Sequence, residues 1–276
     1  MNRDPEATHR RNEKLKHFDP DQNGLFYKGI FGLPFDTEES ELVLVSAPWD
    51  ATVSYGEGAS LGPEAILNAS YQIDLYDELT AGAWKCGFAM DTIPESWIDL
   101  SREYRAKAKY NIDFLEGKYD TPQQVREDIY KELQNVGETL NEWIKEEVLK
   151  WRERGKLVGV IGGEHSVPLG YFHALDNLYE SYGILQIDAH LDLRQAYQGF
   201  TYSHASIMYN ALQMKSLEKI IPVGIRDYSE KEAELVRQHQ GRIIPFSDQH
   251  LKNRMFNGQS WGELCDEMIE QLPANV

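Results

Sequence analysis

Five short, nearly continuous apolar runs recur along this chain. They are Glu41-Leu-Val-Leu-Val-Ser46, Lys156-Leu-Val-Gly-Val-Ile161, Gly183-Ile-Leu-Gln-Ile187, Lys219-Ile-Ile-Pro-Val-Gly224 and Arg242-Ile-Ile-Pro-Phe246. Strands buried on both faces read this way. Helical patterns separate them, at Pro63–Asp77 (apolar at Ile66, Ala69, Ile73 and Tyr76), Ser206–Met214, Glu230–His239 and Gly262–Leu272. A longer stripe of Val125, Ile129, Leu133, Val136, Leu140, Ile144 and Val148 follows Thr121-Pro122, which reads as a capped helix start, and stops at Gly155. Strand–helix alternation predicts an α/β protein: three α/β/α layers around a mostly parallel sheet. Pro222 is awkward inside a paired strand. Residues 1–24 are polar and carry Pro5, Pro20 and Gly24, so they read as a loosely held arm with one short helix. That leaves residues 25–276 as a single domain, long enough for a substantial core.

The third run ends in Asp188-Ala189-His190-Leu191-Asp192. In extended backbone alternate side chains share a face, so Asp188, His190 and Asp192 are expected to point to one place. Two carboxylates and an imidazole suit manganese, iron or zinc rather than a soft, thiolate-seeking ion. The bland alternative is an acid cluster capping the next helix. The second run breaks at Gly162-Gly163 and continues Glu164-His165-Ser166. Paired glycines permit a tight turn at the carboxyl end of a strand, the edge where ligands gather in open parallel sheets. His173, His239 and His250 have no comparable company and read as ordinary surface or helix histidines.

Composition narrows the setting. Asp and Glu number 45 against 28 Lys and Arg, a formal charge of −17. Nucleic acids and anionic membranes need a basic footprint, so neither is an expected partner. A cationic substrate is attracted by such a field, although solubility alone accounts for the acidity. No apolar run approaches the ~20 residues of a membrane-spanning helix. Cys86 and Cys265 are the two cysteines and lie far apart, which disfavours a disulfide framework and suits a reducing cytoplasm.

Several segments together resemble the ureohydrolases: arginases, agmatinases and formiminoglutamases. They are Gly162-Gly163-Glu164-His165-Ser166, Asp188-Ala189-His190-Leu191-Asp192 and Tyr202-Ser203-His204-Ala205-Ser206. Upstream stand Pro48-Trp49-Asp50, Ser54-Tyr55-Gly56 and Gly62-Pro63-Glu64-Ala65-Ile66. Asp192 to Ser206 is closer to agmatinases than to arginases. The resemblance implies an arginase-like fold and a site for two Mn2+ ions. His165 and Asp192 resemble ligands of the first ion, His190 a ligand of the second, and Asp188 the carboxylate bridging both. His204 resembles the histidine that delivers a proton to the leaving amine without binding metal. The implied reaction is hydrolysis of a C–N bond in a small cationic guanidino compound, agmatine to putrescine and urea foremost. The implied setting is polyamine biosynthesis by a cytoplasmic homo-oligomer, and the loop Ser54–Gly58 is implied to border the mouth of the site.

The sequence departs from the resemblance in one respect. Ureohydrolases carry a later Ser-x-Asp-x-Asp-x-x-Asp-Pro segment, two of whose aspartates complete the metal shell, and no such segment occurs in these 276 residues. The expectation drawn from this is a chain truncated at its C-terminal end, with four of the metal ligands and little or no activity by itself. The alternative is a non-catalytic, partially metal-binding relative, or a subunit of an intact ureohydrolase. A metallo-deacetylase also carries a strand-end Asp-x-His but lacks the Gly-Gly-x-His-Ser element.

Overall fold

The computed structural model of the protein describes residues 4–21, 29–118 and 120–276. It divides into two compact units. One is the chain up to Thr121 with Thr139–Tyr171, the other Pro122–Glu138 with Phe172–Val276. The boundary expected near residue 24 lies outside the described residues.

In the first unit the elements run α1 (Pro5–Leu15), β1 (Leu42–Ala47), α2 (Gly62–Ser70), β2 (Phe88–Met90), α3 (Glu95–Leu115), the later part of α4 (Gln123–Glu153) and β3 (Leu157–Gly162). β1 is central and pairs in parallel with β2 and β3. Val43 and Val45 of β1 pack with Trp151, against Trp143, Val158 and Val160. Leu140, Ile144 and Val148 of α4 are buried, as their spacing predicts, and its earlier stripe residues Ile129, Leu133 and Val136 are buried too. Val125 is exposed. The Thr121 hydroxyl is buried with no hydrogen-bond partner, so the expected cap at the head of α4 is not formed.

Two expectations change here. α2 ends at Ser70 rather than near Asp77, and Ile73 and Tyr76 are exposed. The Ser70 hydroxyl donates back to the Leu67 carbonyl and accepts from the Phe31 amide, interactions that favour leaving the helix. The described part of the N-terminal arm is tied down rather than loose. Asp4 caps α1, and buried Arg11 donates to the carbonyls of Glu39 (3.1 Å) and Cys86 (2.6 Å) and to the Glu41 carboxylate (2.9 Å).

The second unit contains the later part of α5 (Pro168–Leu178), then β4 (Tyr182–Ile187), α6 (Ile207–Ala211), β5 (Leu217–Ile225), α7 (Glu230–Gln238), β6 (Phe246–Ser247), α8 (Asp248–Phe256) and α9 (Trp261–Glu270). Its sheet is again parallel, in the order β4-β5-β6. Ile221 and Val223 of β5 pack with Phe246, Leu251, Leu264 and Met268. The expected strand at 242–246 shrinks to a bridge between Ile220 and Ile243 followed by β6. Pro222 explains part of this. Ile220 exchanges backbone hydrogen bonds with Arg242 and Ile244, so two residues on, Pro222 faces the same side without an N–H to offer. Pairing there is irregular, with a register shift between Val223 and Ile225. Among the described residues no helix is long and apolar enough to cross a membrane.

Candidate metal centre

At the end of β3 the chain turns through Gly163, whose φ is +29°. A Cβ there would lie 2.0 Å from the Trp49 carbonyl oxygen, so the turn needs glycine on both conformational and steric grounds. The next residue, Glu164, donates its amide to that same oxygen at 2.8 Å. Its buried carboxylate accepts from the Thr52 hydroxyl (2.7 Å), the Thr52 amide (3.1 Å) and the Ser166 hydroxyl (2.8 Å). Burial outweighs these donors and pushes the Glu164 carboxyl up to about 7. Glu164 thus clips the His165 turn to the segment after β1. His165 itself is half-buried.

That segment has a second clip. Asp50 is buried. Its Oδ2 accepts from the amides of Gly58 (2.8 Å) and Ser60 (3.2 Å), and its Oδ1 from the Ser101 hydroxyl (3.0 Å). Arg105, one turn along α3, donates to the carbonyls of Ala51 and Val53 and pairs with Glu57. The loop carrying fully exposed Tyr55 is therefore anchored at both ends. Burial pushes the Asp50 carboxyl up, but the donors from Gly58, Ser60 and Ser101 more than compensate and leave it below the ordinary carboxylate range. Its folded value being depressed, its contribution to stability is full above about pH 4 and is lost as pH falls through the folded value. Asp50→Asn is expected to lower stability at pH 7 by about 1.5–3 kcal/mol, the usual worth of hydrogen bonds to a charged group. The gap should narrow at pH 3. Urea titrations at the two pH values check this, and an equal gap at both would refute the charge-based account.

β4 stops at Ile187, so strand alternation does not carry Asp188, His190 and Asp192 to a common face as expected. A turn takes over at Asp188 and sets His190 beside it. Asp188 Oδ1 accepts the His190 amide at 3.0 Å, the local bond by which aspartate imitates a backbone turn. The His190 ring then lies with Nδ1 3.7 Å from Asp188 Oδ1 and Nε2 3.8 Å from Asp227 Oδ2. Asp192 adopts a left-handed φ of +51°, which aspartate tolerates better than most residues. This brings a carboxylate oxygen of Asp192 within 4.8 Å of one from Asp188. The turn is also held by its backbone, since the Ala189 carbonyl accepts from the amides of Arg226 and Asp227 and the Asp192 carbonyl from those of Met208 and Tyr209.

His204 opens a short helical turn, His204–Ser206, just before α6. Ser203 and Ser206 cap it reciprocally, with their hydroxyls 2.6 Å apart, and Ser206 and Asn210 both donate to the Thr201 carbonyl. The His204 ring meets Tyr197 edge-on at 5.6 Å. Arg194 donates its amide to the Ala205 carbonyl at 3.1 Å, which joins this turn to the Asp192 segment.

The donor set around Asp188 fits a divalent cation. The His190 imidazole stands 3.7 Å from Asp188, and a carboxylate oxygen of Asp192 lies within 4.8 Å of one from Asp188, nitrogen and oxygen donors of the kind that manganese and zinc accept. The Arginase family model matches residues 40–258. The chain belongs to the arginase family. Among curated relatives it is 29% identical over 201 residues to the N(1)-aminopropylagmatine ureohydrolase of Synechocystis sp., covering 72% of this chain and 55% of that protein. It is also 29% identical to the agmatinase of Bacillus anthracis, covering 73% of this chain and 57% of that one. The arginase-family chain thus spans little more than half the length of these relatives. Its fold matches the agmatine ureohydrolase of Thermoplasma volcanium with a TM-score of 0.63 at 20% identity, over 95% of this chain and 71% of the other. The Trypanosoma cruzi formiminoglutamase solved with Mn2+ matches at 0.58 and 15% identity, over 85% and 67%.

Three residues around these arginase-family segments escaped the sequence reading. Glu232 is buried. It caps α7 with Ser229 and accepts the Leu193 amide at 3.1 Å, which steadies the chain after Asp192. Its only sequence signal is the Ser229-x-x-Glu232 capping pattern. Asp227, beside the His190 ring, stands two residues past the end of β5, where a strand-end acid could have been noticed. Gln186 is a lone polar residue in an apolar run.

Proposed function

We propose that this chain is a divalent-metal hydrolase of a C–N bond in a linear guanidino compound, with agmatine or an N-substituted agmatine as substrate and Mn2+ as the metal. His165, Asp188, His190 and Asp192 hold the metal, and His204 delivers the proton to the departing amine. The observation that carries this reading is the Asp188–His190–Asp192 turn, in a chain of a family whose similar members bear agmatinase and ureohydrolase names. A bound pair of such ions supplies the Lewis acidity that makes water a competent nucleophile at neutral pH. The protein's part is to aim its carboxylates and imidazoles, to carry a guanidinium to them, and to hold a proton donor at His204. The formal charge of −17 favours approach of a cation. The same reading makes the protein a cytoplasmic self-associating enzyme of polyamine synthesis.

A second reading rests on a specific absence. These 276 residues contain no Ser-x-Asp-x-Asp segment. On that reading the chain binds metal through the four residues named and, by itself, turns over little. One assay addresses both. Urea release from agmatine and from N(1)-aminopropylagmatine is measured with added Mn2+, for this chain and for any longer product of its gene. Turnover is expected from the form that supplies the two further carboxylates. Robust turnover by the 276 residues would overturn the second reading, and failure of every form on every guanidino substrate would overturn the first.

A further inference from the structure

We propose that Gln186 is a positioning residue whose amide sets the conformation of the Asp188–His190 turn. Its consequence for metal affinity rests on the metal reading of Asp188 and His190 given above. Gln186 is the penultimate residue of β4 and is 3% exposed, between exposed Leu185 and Ile187. Burying a primary amide there costs free energy unless it is bonded, so an aliphatic residue would suit the strand alone better. Its Nε2 donates to the His190 carbonyl at 3.0 Å and to Asp188 Oδ2 at 3.3 Å. Those two acceptors fix which way the amide faces, because the flipped form would set its oxygen against a carbonyl and a carboxylate. The amide oxygen is left buried without a hydrogen-bond partner.

The effect of that donor is specific. Asp188 Oδ1 is held by the His190 amide and Oδ2 by Gln186, so the carboxylate cannot rotate freely. The same Gln186 amide group fixes the His190 carbonyl and so the backbone from which the imidazole projects. One neutral, non-titrating side chain therefore sets two neighbouring donor groups in register. Groups that orient metal ligands from behind change affinity by about 10–100-fold when removed.

The test uses the 276-residue chain with Gln186→Met, which keeps the side-chain length and removes the donor. In the metal-free protein, hydrogen exchange of the His190 amide is expected to quicken about fivefold or more, the loss of roughly one buried hydrogen bond. In a Mn2+ titration followed by electron paramagnetic resonance, affinity is expected to fall about 10–100-fold, with a larger loss for Asp188→Ala. Unchanged exchange at His190 would overturn the proposal whatever the metal does. Quickened exchange supports it. If Asp188→Ala then binds Mn2+ as tightly as the wild type, the metal reading falls while the hold on the turn stands. Should the methionine variant fail to fold, Gln186→Asn carries both measurements, because its amide falls one methylene short of the His190 carbonyl.

Discussion

His204→Ala is expected to slow urea release by about 10²–10⁴-fold, the range over which a positioned acid or base contributes, while leaving bound Mn2+ unchanged. The measurement is steady-state turnover of agmatine together with metal content, in whichever form of the gene product turns over. Two structural facts support so clean a separation. The turn that carries His204 is held by Ser203, Ser206 and Asn210, so alanine should leave it folded. The ring's aromatic neighbour is Tyr197, whose amide and carbonyl pair with Phe200 and hold that segment independently. Added imidazole is expected to restore part of the lost rate, which a merely structural defect would not allow. Full turnover in the variant, or loss of its metal, would remove His204 from the proposed role.

Much of this architecture is legible in the residues because continuous apolar runs have few alternatives to burial. β1, β3, β4 and β5 fall within two residues of the runs that predict them. What escaped did so for physical reasons. α3 buries Ser101, Arg105 and Asn111 on the same side as Trp97, Ala108 and Ile112, so its inward face does not look apolar. β2 is three residues long, too short for any pattern. At α2 the error ran the other way, since Ile73 and Tyr76 continue the helical spacing on paper but a serine hydroxyl competes for the backbone. The candidate ligands stood out by type and spacing. The groups that steady their turns, Gln186 and Glu232, could not, because an amide in an apolar run and a glutamate in a charged helix reveal nothing until the backbone they meet is known. Strand alternation predicts a convergence of Asp188, His190 and Asp192; in the structure an aspartate turn sets His190 beside Asp188, and a left-handed residue brings Asp192 near Asp188.

Gly163→Ala should be among the most damaging single-methyl additions to the first unit. Two costs combine. A residue with a Cβ held in a sparsely populated backbone region costs about 1–3 kcal/mol. The added carbon also falls 2.0 Å from the Trp49 carbonyl oxygen and within 2.9 Å of the Ala47 oxygen, so backbone rather than a flexible side chain must yield. Overpacking of that kind costs about 1–3 kcal/mol more. Their sum is a large fraction of the roughly 5–15 kcal/mol that holds an ordinary domain together. Gly117→Ala separates the two contributions, since Gly117 has φ +76° but nothing within 4 Å of an added Cβ. It should show only the conformational cost, about 1–2 kcal/mol. Denaturant midpoints at constant slope compare the two variants with the parent. The turn also carries Glu164 and His165, and the Glu164 amide bonds to the very oxygen that the methyl would displace. A Gly163→Ala protein that still folds should therefore bind Mn2+ more weakly, whereas Gly117→Ala should bind it normally. Equal midpoints for the two variants would mean that the Trp49 carbonyl relaxes freely, and the turn at the end of β3 would then not be the rigid mount for His165 inferred from its geometry.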